Sequence, residues 1–521
     1  MRAAPLETMK APAYPDLSGR HGLLVELLDC ARESDGAPMY LRLYHHVRDS
    51  IVRGALPPGY RLPSSRTLAA DLRVSRNTVD AALSQLTAEG FLVRHVGRGT
   101  IVSPVMPAAP RPAPRARRGT RPAPPAPWTD ADLSSRGRET LAANHLIASI
   151  AGHTFAPCIP DDDALPSAAW RRVLARRSRQ WSGADTAPPE RAGWRPLREA
   201  IAAYVVSSRG VRCDWRQVLV VTSVQQGLAL VARMLLERGD AVWIEEPGYP
   251  GARTAFAAAG ARLVPVPVDD DGLDVAAGER LAPDARLAYV TPSHQYPLGV
   301  TLSLARRLAL LDWARRSGGW IVEDDYDSEI RHVGRPLASI QGLDDAGRVI
   351  YAGTFGKVLF PSVRLAYLVL PPGLLEPLAS AHETAGGVVG TFLQAAVAEF
   401  MESGRFPGHL RRVRELFAER RAALLDAAAA EWGGLIELGP AETGLHVAGR
   451  IDGARDDRAL SALAARHRLD LPPLSAYYAN PSPVRGVLVH YAGTPAPRIR
   501  EGVSTLARLM RRAGASPPVS T

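Results

Sequence analysis

Between residues 39 and 103 apolar residues recur at helical spacing in three short runs and then change to alternation. Leu41, Tyr44, Val47 and Ile51 share one face of a helix that must stop before Pro57-Pro58-Gly59. Ser64 or Ser65 can cap a second, shorter helix with Leu68, Ala69 and Leu72 on its inner face. A third helix starts at Ser75, buries Val79, Ala82, Leu83 and Leu86, and closes at Gly90. Phe91 to His95 and Thr100 to Ser103 then read as two strands around Gly97-Arg98-Gly99. Three helices and a β-ribbon predict a winged helix-turn-helix over residues 38–104, preceded by an extension of residues 1–37.

The periodicity then disappears. Eight prolines between Pro107 and Pro127, interleaved with arginine, predict a semi-rigid linker over 105–135. Beyond it, strands and helices alternate. Val218 to Val221, Ala241 to Ile244, Leu287 to Val290 and Trp320 to Glu323 read as strands, with helices over Gln225 to Leu236, Gly251 to Ala259 and Leu302 to Arg315. The expected architecture is an open α/β sheet over 136–375, followed by a smaller α+β domain over 376–521. Polar groups collect at the carboxyl ends of the strands, where open α/β sheets bind ligands.

Charge separates the two parts. The formal net charge is +10. Residues 39–103 hold nine arginines against four acids, and 105–127 hold five arginines and no acid, so the excess lies at the N-terminal end. A basic block on an otherwise balanced chain points to a polyanion. In a winged helix-turn-helix the second helix of the turn motif enters the major groove of double-stranded DNA by its N-terminus, which here presents Arg76, Asn77 and Thr78. Arginine and asparagine reach base edges bidentately, while Ser65, Arg66 and the helix dipole suit phosphates; Arg98 at the wing tip suits a minor groove.

The other informative feature is a shortage. Of 63 basic residues only Lys10 and Lys357 are lysine. Arginine stays protonated, whereas a lysine amine can lose its proton and condense with an aldehyde to a Schiff base. Lys357 lies in a Gly-punctuated turn between the apolar runs Val349 to Ala352 and Leu365 to Leu370. Pyridoxal 5'-phosphate requires such an amine, a carboxylate at its ring nitrogen, phosphate donors and a face for its ring. Asp324, placed directly after the fourth strand, is the candidate for the ring nitrogen and Tyr326 for the ring hydroxyl. Arg364, Thr354 and the turn Ser223-Val224-Gln225 offer phosphate donors, and Tyr249 offers a stacking face.

The N-terminal segment resembles the GntR family of bacterial regulators through Pro58-Gly-Tyr-Arg-Leu-Pro-Ser-Ser-Arg66, Val74-Ser-Arg-Asn-Thr-Val79, Leu86-Thr-Ala-Glu-Gly90 and Gly97-Arg-Gly-Thr100. That resemblance implies DNA contact by Arg66, Ser75, Arg76, Asn77, Thr78 and the wing glycines. The remainder resembles fold-type I aminotransferases, and the whole resembles the MocR subgroup of GntR regulators. The stretches that carry this are Gly193-Trp-Arg-Pro-Leu-Arg-Glu-Ala-Ile201, Thr222-Ser-Val-Gln-Gln226, Glu246-Pro-Gly-Tyr-Pro250, Thr291-Pro-Ser-His-Gln-Tyr-Pro-Leu-Gly299, Val322-Glu-Asp-Asp-Tyr-Asp-Ser-Glu329 and Gly353-Thr-Phe-Gly-Lys357. The resemblance implies a pyridoxal-phosphate-dependent transferase fold used as an effector-binding unit, with an amino acid or the cofactor itself as effector. It also implies a homodimer, in which a head-to-tail arrangement places each DNA module over the partner's large domain.

Four departures from the aminotransferase pattern bear on catalysis. Tyr296 stands where those enzymes commonly place an asparagine, Gly356 where a serine usually precedes the reactive lysine, and Ser223 where the phosphate turn has glycine. Near the C-terminus Arg485 is the one candidate for the substrate carboxylate. The expected function is transcription regulation with weak or no turnover; the alternative is a working aminotransferase that carries a DNA-binding domain. Three widely spaced cysteines suggest neither a disulfide framework nor a zinc site. No signal peptide or membrane span is expected, which predicts a cytoplasmic protein.

Overall fold

The computed structural model describes residues 38–95, 99–104, 129–135, 137–138, 140–141, 152–157, 163–182, 187–334, 338–451 and 456–515. Arg98 and most of the expected linker, with the 1–37 extension, lie outside the described residues. The chain divides into two compact units, Met1–Pro127 and Trp128–Thr521.

In the first unit helices α1 (Met39–Val52), α2 (Ser65–Leu72) and α3 (Arg76–Ala88) pack with strands β1 (Leu92–His95) and β2 (Gly99–Val102). The buried stripe of α1 is Leu43, Tyr44, Val47 and Ile51; Leu41, expected inside, is only half-buried. These residues share one core with Leu68, Leu72, Val79, Leu83, Leu86, Leu92 and Val102. Helix starts are fixed locally. Ser64, not Ser65, caps α2 by accepting from the Thr67 N–H at 3.1 Å, and Ser75 caps α3 by accepting from Thr78 N–H at 3.1 Å. β1 and β2 pair antiparallel, with Leu92 opposite Val102. The Leu62 N–H donates to the Thr100 carbonyl and the Val102 N–H to the Tyr60 carbonyl, which ties the ribbon to the turn before α2.

The second unit is built on a sheet of β3 (Val218–Val221), β4 (Ala241–Glu246), β5 (Arg262–Asp269), β6 (Gly272–Leu273), β7 (Leu287–Val290), β8 (Trp320–Asp325), β9 (Val349–Thr354) and β10 (Ala366–Val369), in the spatial order β3-β10-β9-β8-β7-β4-β5-β6. β9-β8-β7-β4-β5 are parallel, while β10 is antiparallel to both β9 and β3. The chain from Phe355 to Leu365 is too short for the crossover that parallel neighbours need, so β10 must reverse. That reversal places the loop holding Lys357 and Arg364 at the carboxyl end of β9. Every residue of β3 is buried, with Val218 and Val220 in one core and Leu219 and Val221 in another, because the sheet is covered on both faces.

The helices between strands start one to two residues from the expected positions. Val224–Leu235 begins one residue early, capped by Ser223, and Leu304–Ser317 begins two residues late, capped by Ser303. β8 runs further than its apolar residues suggest and includes Asp324 and Asp325, so Asp324 lies within the strand rather than after it. A second, three-stranded antiparallel sheet follows, β11 (Ile436–Leu438), β12 (His446–Ile451) and β13 (Gly486–His490), with long helices Arg405–Glu431 and Ala496–Ala515.

The interior end of β8 is strongly acidic. Glu323, Asp324, Asp325 and Asp327 are each 5% exposed or less. Glu323 accepts the N–H groups of Ile340 and Gln341, both at 2.9 Å. Asp325 accepts from Arg209 and from the Tyr351 hydroxyl, each at 2.6 Å. The Arg209 guanidinium also donates to Ser293 at 2.7 Å, and the ion pair is closed to solvent. Removing one partner of a buried pair strands the other charge. Arg209→Leu is therefore expected to lower stability by about 3 to 5 kcal/mol, which urea denaturation of the full chain measures; a change below about 1 kcal/mol, the size of an exposed pair, contradicts this account.

Candidate functional site

In the second unit a cavity of about 500 Å³ opens at the carboxyl ends of the parallel strands. Ser223, Val224, Gln225, Tyr249, Asp324, Tyr326, Thr354, Lys357 and Arg364, nine residues from five separate stretches of sequence, all line it. Tyr296, noted in the sequence as standing in place of an asparagine, lines it too, as do Tyr289, His446 and His490, which were not among the residues expected at the site.

Alternation along β8 turns Asp324 toward the cavity, while its neighbours Glu323 and Asp325 are absent from the lining. Asp324 Oδ2 accepts from the Tyr289 hydroxyl at 2.6 Å. Its Oδ1 is buried and has no hydrogen-bond partner. Burial pushes the carboxyl up to about 7 and Asp325 pushes the same way, while the Tyr289 O–H and the Lys357 charge pull it down. A cationic N–H at Oδ1 satisfies that oxygen and favours the ionised acid, so the carboxylate fits a protonated pyridine nitrogen.

Another stretch of the lining is built from a helix N-terminus and two turns. Ser223 caps the helix Val224–Leu235 by accepting from Gln226 N–H at 3.2 Å, and the first N–H groups of any helix lack intrahelical acceptors. Gln225 donates through Nε2 to the Gly251 carbonyl at 2.7 Å, locking two cavity walls together. The Thr354 hydroxyl oxygen accepts from Gly356 N–H at 3.0 Å, which holds the turn before Lys357. Arg364 sits in the left-handed region at φ 47° and is exposed apart from its cavity contact. These donors fit a phosphate.

Aromatic rings form the rest. Tyr296 meets Tyr249, Tyr326 and His446 edge-on at centroid distances of 5.9, 6.0 and 5.1 Å. Tyr326 hydrogen-bonds His294 Nδ1 through its hydroxyl at 2.9 Å, and that nitrogen also lies 2.8 Å from Asp327 Oδ2. Arg485 does not line the cavity; it is half-exposed and lies 3.8 Å from Asp457, which fixes the chain entering β13.

In the first unit Ser75, Arg76 and Asn77 are exposed at the N-terminus of α3, and Arg66 is exposed on α2. Thr78 is half-buried, with its hydroxyl 2.8 Å from that of Ser75. Ser65 is half-buried as the first residue of α2. The Arg76 guanidinium lies 3.4 Å from Asp80 one turn along, and Arg94 of β1 lies 3.8 Å from the same carboxylate. That shared acid orients two cations on one face. Arg66, Ser75, Arg76 and Asn77 take no part in the core.

The comparisons agree with this division. Residues 39–102 match the family described as bacterial regulatory proteins, gntR family, and residues 160–506 match aminotransferase class I and II. The chain is 40% identical over 480 residues, 91% of its length and 94% of the relative's, to a probable rhizopine catabolism regulatory protein, MocR, of Rhizobium meliloti. It is 32% identical over 452 residues, 86% of its length and 90% of the relative's, to the pyridoxine biosynthesis transcriptional regulator PdxR of Corynebacterium glutamicum. The solved α-aminoadipate aminotransferase LysN of Thermus thermophilus superposes with TM-score 0.67 and 28% identity, over 74% of this chain and 98% of the enzyme.

The Tyr289 hydroxyl donates a short hydrogen bond to Asp324, at 2.6 Å. Tyr289→Phe leaves both acid oxygens buried without it, and a loss of about 1 to 3 kcal/mol is expected in urea denaturation of the cofactor-free protein. Unchanged stability would show that Asp324 is held by something other than this hydroxyl.

Proposed function

We propose, from the premise that this chain belongs to the MocR-type subgroup of the GntR family of transcriptional regulators, that it couples DNA binding to occupation of a pyridoxal phosphate site. The chain is a DNA-binding regulator with an aminotransferase-like domain. The single observation that carries the cofactor reading is the convergence of Lys357, the partnerless Asp324 Oδ1 and the helix N-terminus at Ser223 on one cavity.

Bound pyridoxal phosphate supplies an aldehyde that takes a primary amine and an aromatic ring that withdraws electrons. Lys357 offers the resident amine. Asp324, oriented by Tyr289, accepts the ring N–H, and Tyr326 offers its hydroxyl to the ring oxygen. Val224 and Gln225 N–H groups, Ser223, Thr354 and Arg364 hold the phosphate, and Tyr249 covers a ring face. The effector is a small molecule bearing a primary amine, or the cofactor itself. The protein works in the cytoplasm as a homodimer.

Sensing rather than turnover follows from what surrounds that cradle. Tyr296 is committed to aromatic packing and lies with its hydroxyl 3.3 Å from that of Tyr477. Arg485 is outside the cavity, and the lining cations among the described residues are Lys357 and Arg364. A transaminase must stabilise each transition state in two half-reactions, whereas a sensor needs only a ligand that binds one conformation better than another.

Purified protein is expected to show the visible absorption of lysine-bound cofactor, and Lys357→Arg to lose both that band and any amine response of DNA affinity while the fold persists. Sustained product formation at roughly one turnover per second or faster, with DNA affinity indifferent to every amine, would make the protein an enzyme instead.

For the DNA module, Arg76→Ala is expected to weaken promoter binding by about 1 to 3 kcal/mol and to relax specificity at one base pair. Affinity should also fall steeply with salt. Equal loss on all sequences in a fluorescence anisotropy titration would reassign Arg76 to phosphate.

A further inference from the structure

One wall of the cavity has no part in holding the cofactor. His446 opens β12 and His490 closes β13, and the two are directly paired across the antiparallel strands with ring centroids 5.2 Å apart. They are 2% and 5% exposed, and both line the cavity. His446 donates one ring N–H to the Pro297 carbonyl, and its Nε2 is buried without a partner. His490 Nδ1 is likewise buried and unpartnered. Behind them stands His294, 4.7 Å from His446 between centroids, with Nδ1 against Asp327 and Nε2 again unpartnered.

A buried polar atom left unpaired costs about 1 to 3 kcal/mol, so two such atoms, in adjacent rings that line one cavity, mark a surface kept for a ligand. The kind of ligand follows from the protons. Burial, His294, His490 and Lys357 hold His446 well below the usual imidazole range, and burial with Lys357 pushes His490 down to about 3. A neutral imidazole that gives its Nδ1 proton to a carbonyl presents only a lone pair at Nε2. That lone pair welcomes an O–H or N–H and repels a carboxylate oxygen. The two lining cations among the described residues, Lys357 and Arg364, are already assigned to cofactor amine and phosphate.

We propose that His446 and His490 are the specificity-determining wall of the effector site, and that the effector is a primary amine whose other end is a hydroxyl group, an amino alcohol rather than an amino acid. This rests on the cofactor reading above. The amine goes to the cofactor side, where Lys357 stands. The hydroxyl gives its proton to His446 Nε2 and its oxygen accepts from the Nδ1–H of His490. Neutral imidazoles thus occupy a wall where an α-carboxylate would require a guanidinium.

The test uses the full chain with pyridoxal phosphate. Ethanolamine and serinol are titrated against glycine and β-alanine, while the visible spectrum and DNA anisotropy are followed together. The amino alcohols are expected to shift both signals, and the amino acids neither at the same concentration. His446→Leu should raise the half-saturating concentration of the amino alcohols about tenfold with the cofactor band retained. His446→Gln, which keeps a neutral polar group, should recover part of it and replaces the leucine variant if that one loses the band. Amino acids acting at equal or lower concentration, silence from both amino alcohols, or an unchanged response in His446 and His490 variants each overturn the assignment. So does zinc binding that depends on His446 and alone changes DNA affinity, since His294, Asp327 and His446 place candidate ligand atoms within 4.8 Å of one another. A wild-type protein lacking the cofactor band fails the cofactor reading itself, whereas a band with the wrong amine selectivity fails this inference alone.

Discussion

Five carboxylates between Glu323 and Glu329 are buried at the end of one central strand, and the second unit is organised around keeping them tolerable. Each has a different solution. Glu323 is capped by two backbone N–H groups, Asp325 is paired with Arg209 and Tyr351, Asp327 faces His294, and Glu329 accepts from Tyr204 at 3.1 Å. Burial pushes Glu323 and Glu329 up to about 7. Asp324, Asp325 and Glu329 each keep one buried oxygen without a partner, and of the three Asp324 is the one that lines the cavity. An unsatisfied buried acid is a liability in a core and an asset beside a cationic ring.

The remaining parts arrive by topology. Reversal of β10 makes a short loop that brings Lys357 and Arg364 to the same edge as Asp324, while the Ser223 cap aims a helix N-terminus there from the next layer. Part of the remaining wall comes from the smaller sheet, whose β12 and β13 contribute His446 and His490. A site shared between two sheets senses any change in how they sit, which is the property a ligand-controlled regulator requires.

Much of this was legible beforehand. The serine caps, the Gly-rich turn around the isolated lysine and the arginine excess at one end are local signals, and the caps predicted their helix starts within one residue. Reading Asp324 as lying after its strand was an error of the same origin as missing Tyr289: runs of acids resemble a solvated strand end unless their partners are known. Those partners are distant in sequence, Arg209 lying 116 residues from Asp325 and Tyr289 35 from Asp324. Placing Leu41 inside was a misreading of the periodicity, because Leu43, Val47 and Ile51 stand four apart on one face and Leu41 lies off that stripe.

By itself the sequence determined the two-part organisation, the type of the elements it named, the basic face of the DNA module and the candidate amine at Lys357, since all of these follow from residue type and short-range spacing. Only the tertiary structure decided which carboxylate faces the cavity, that Arg485 lies near Asp457 outside it, and that two histidines from different strands share its wall. Those facts depend on which side of a strand meets which neighbour, and a shift of one residue in register would reverse every one of them.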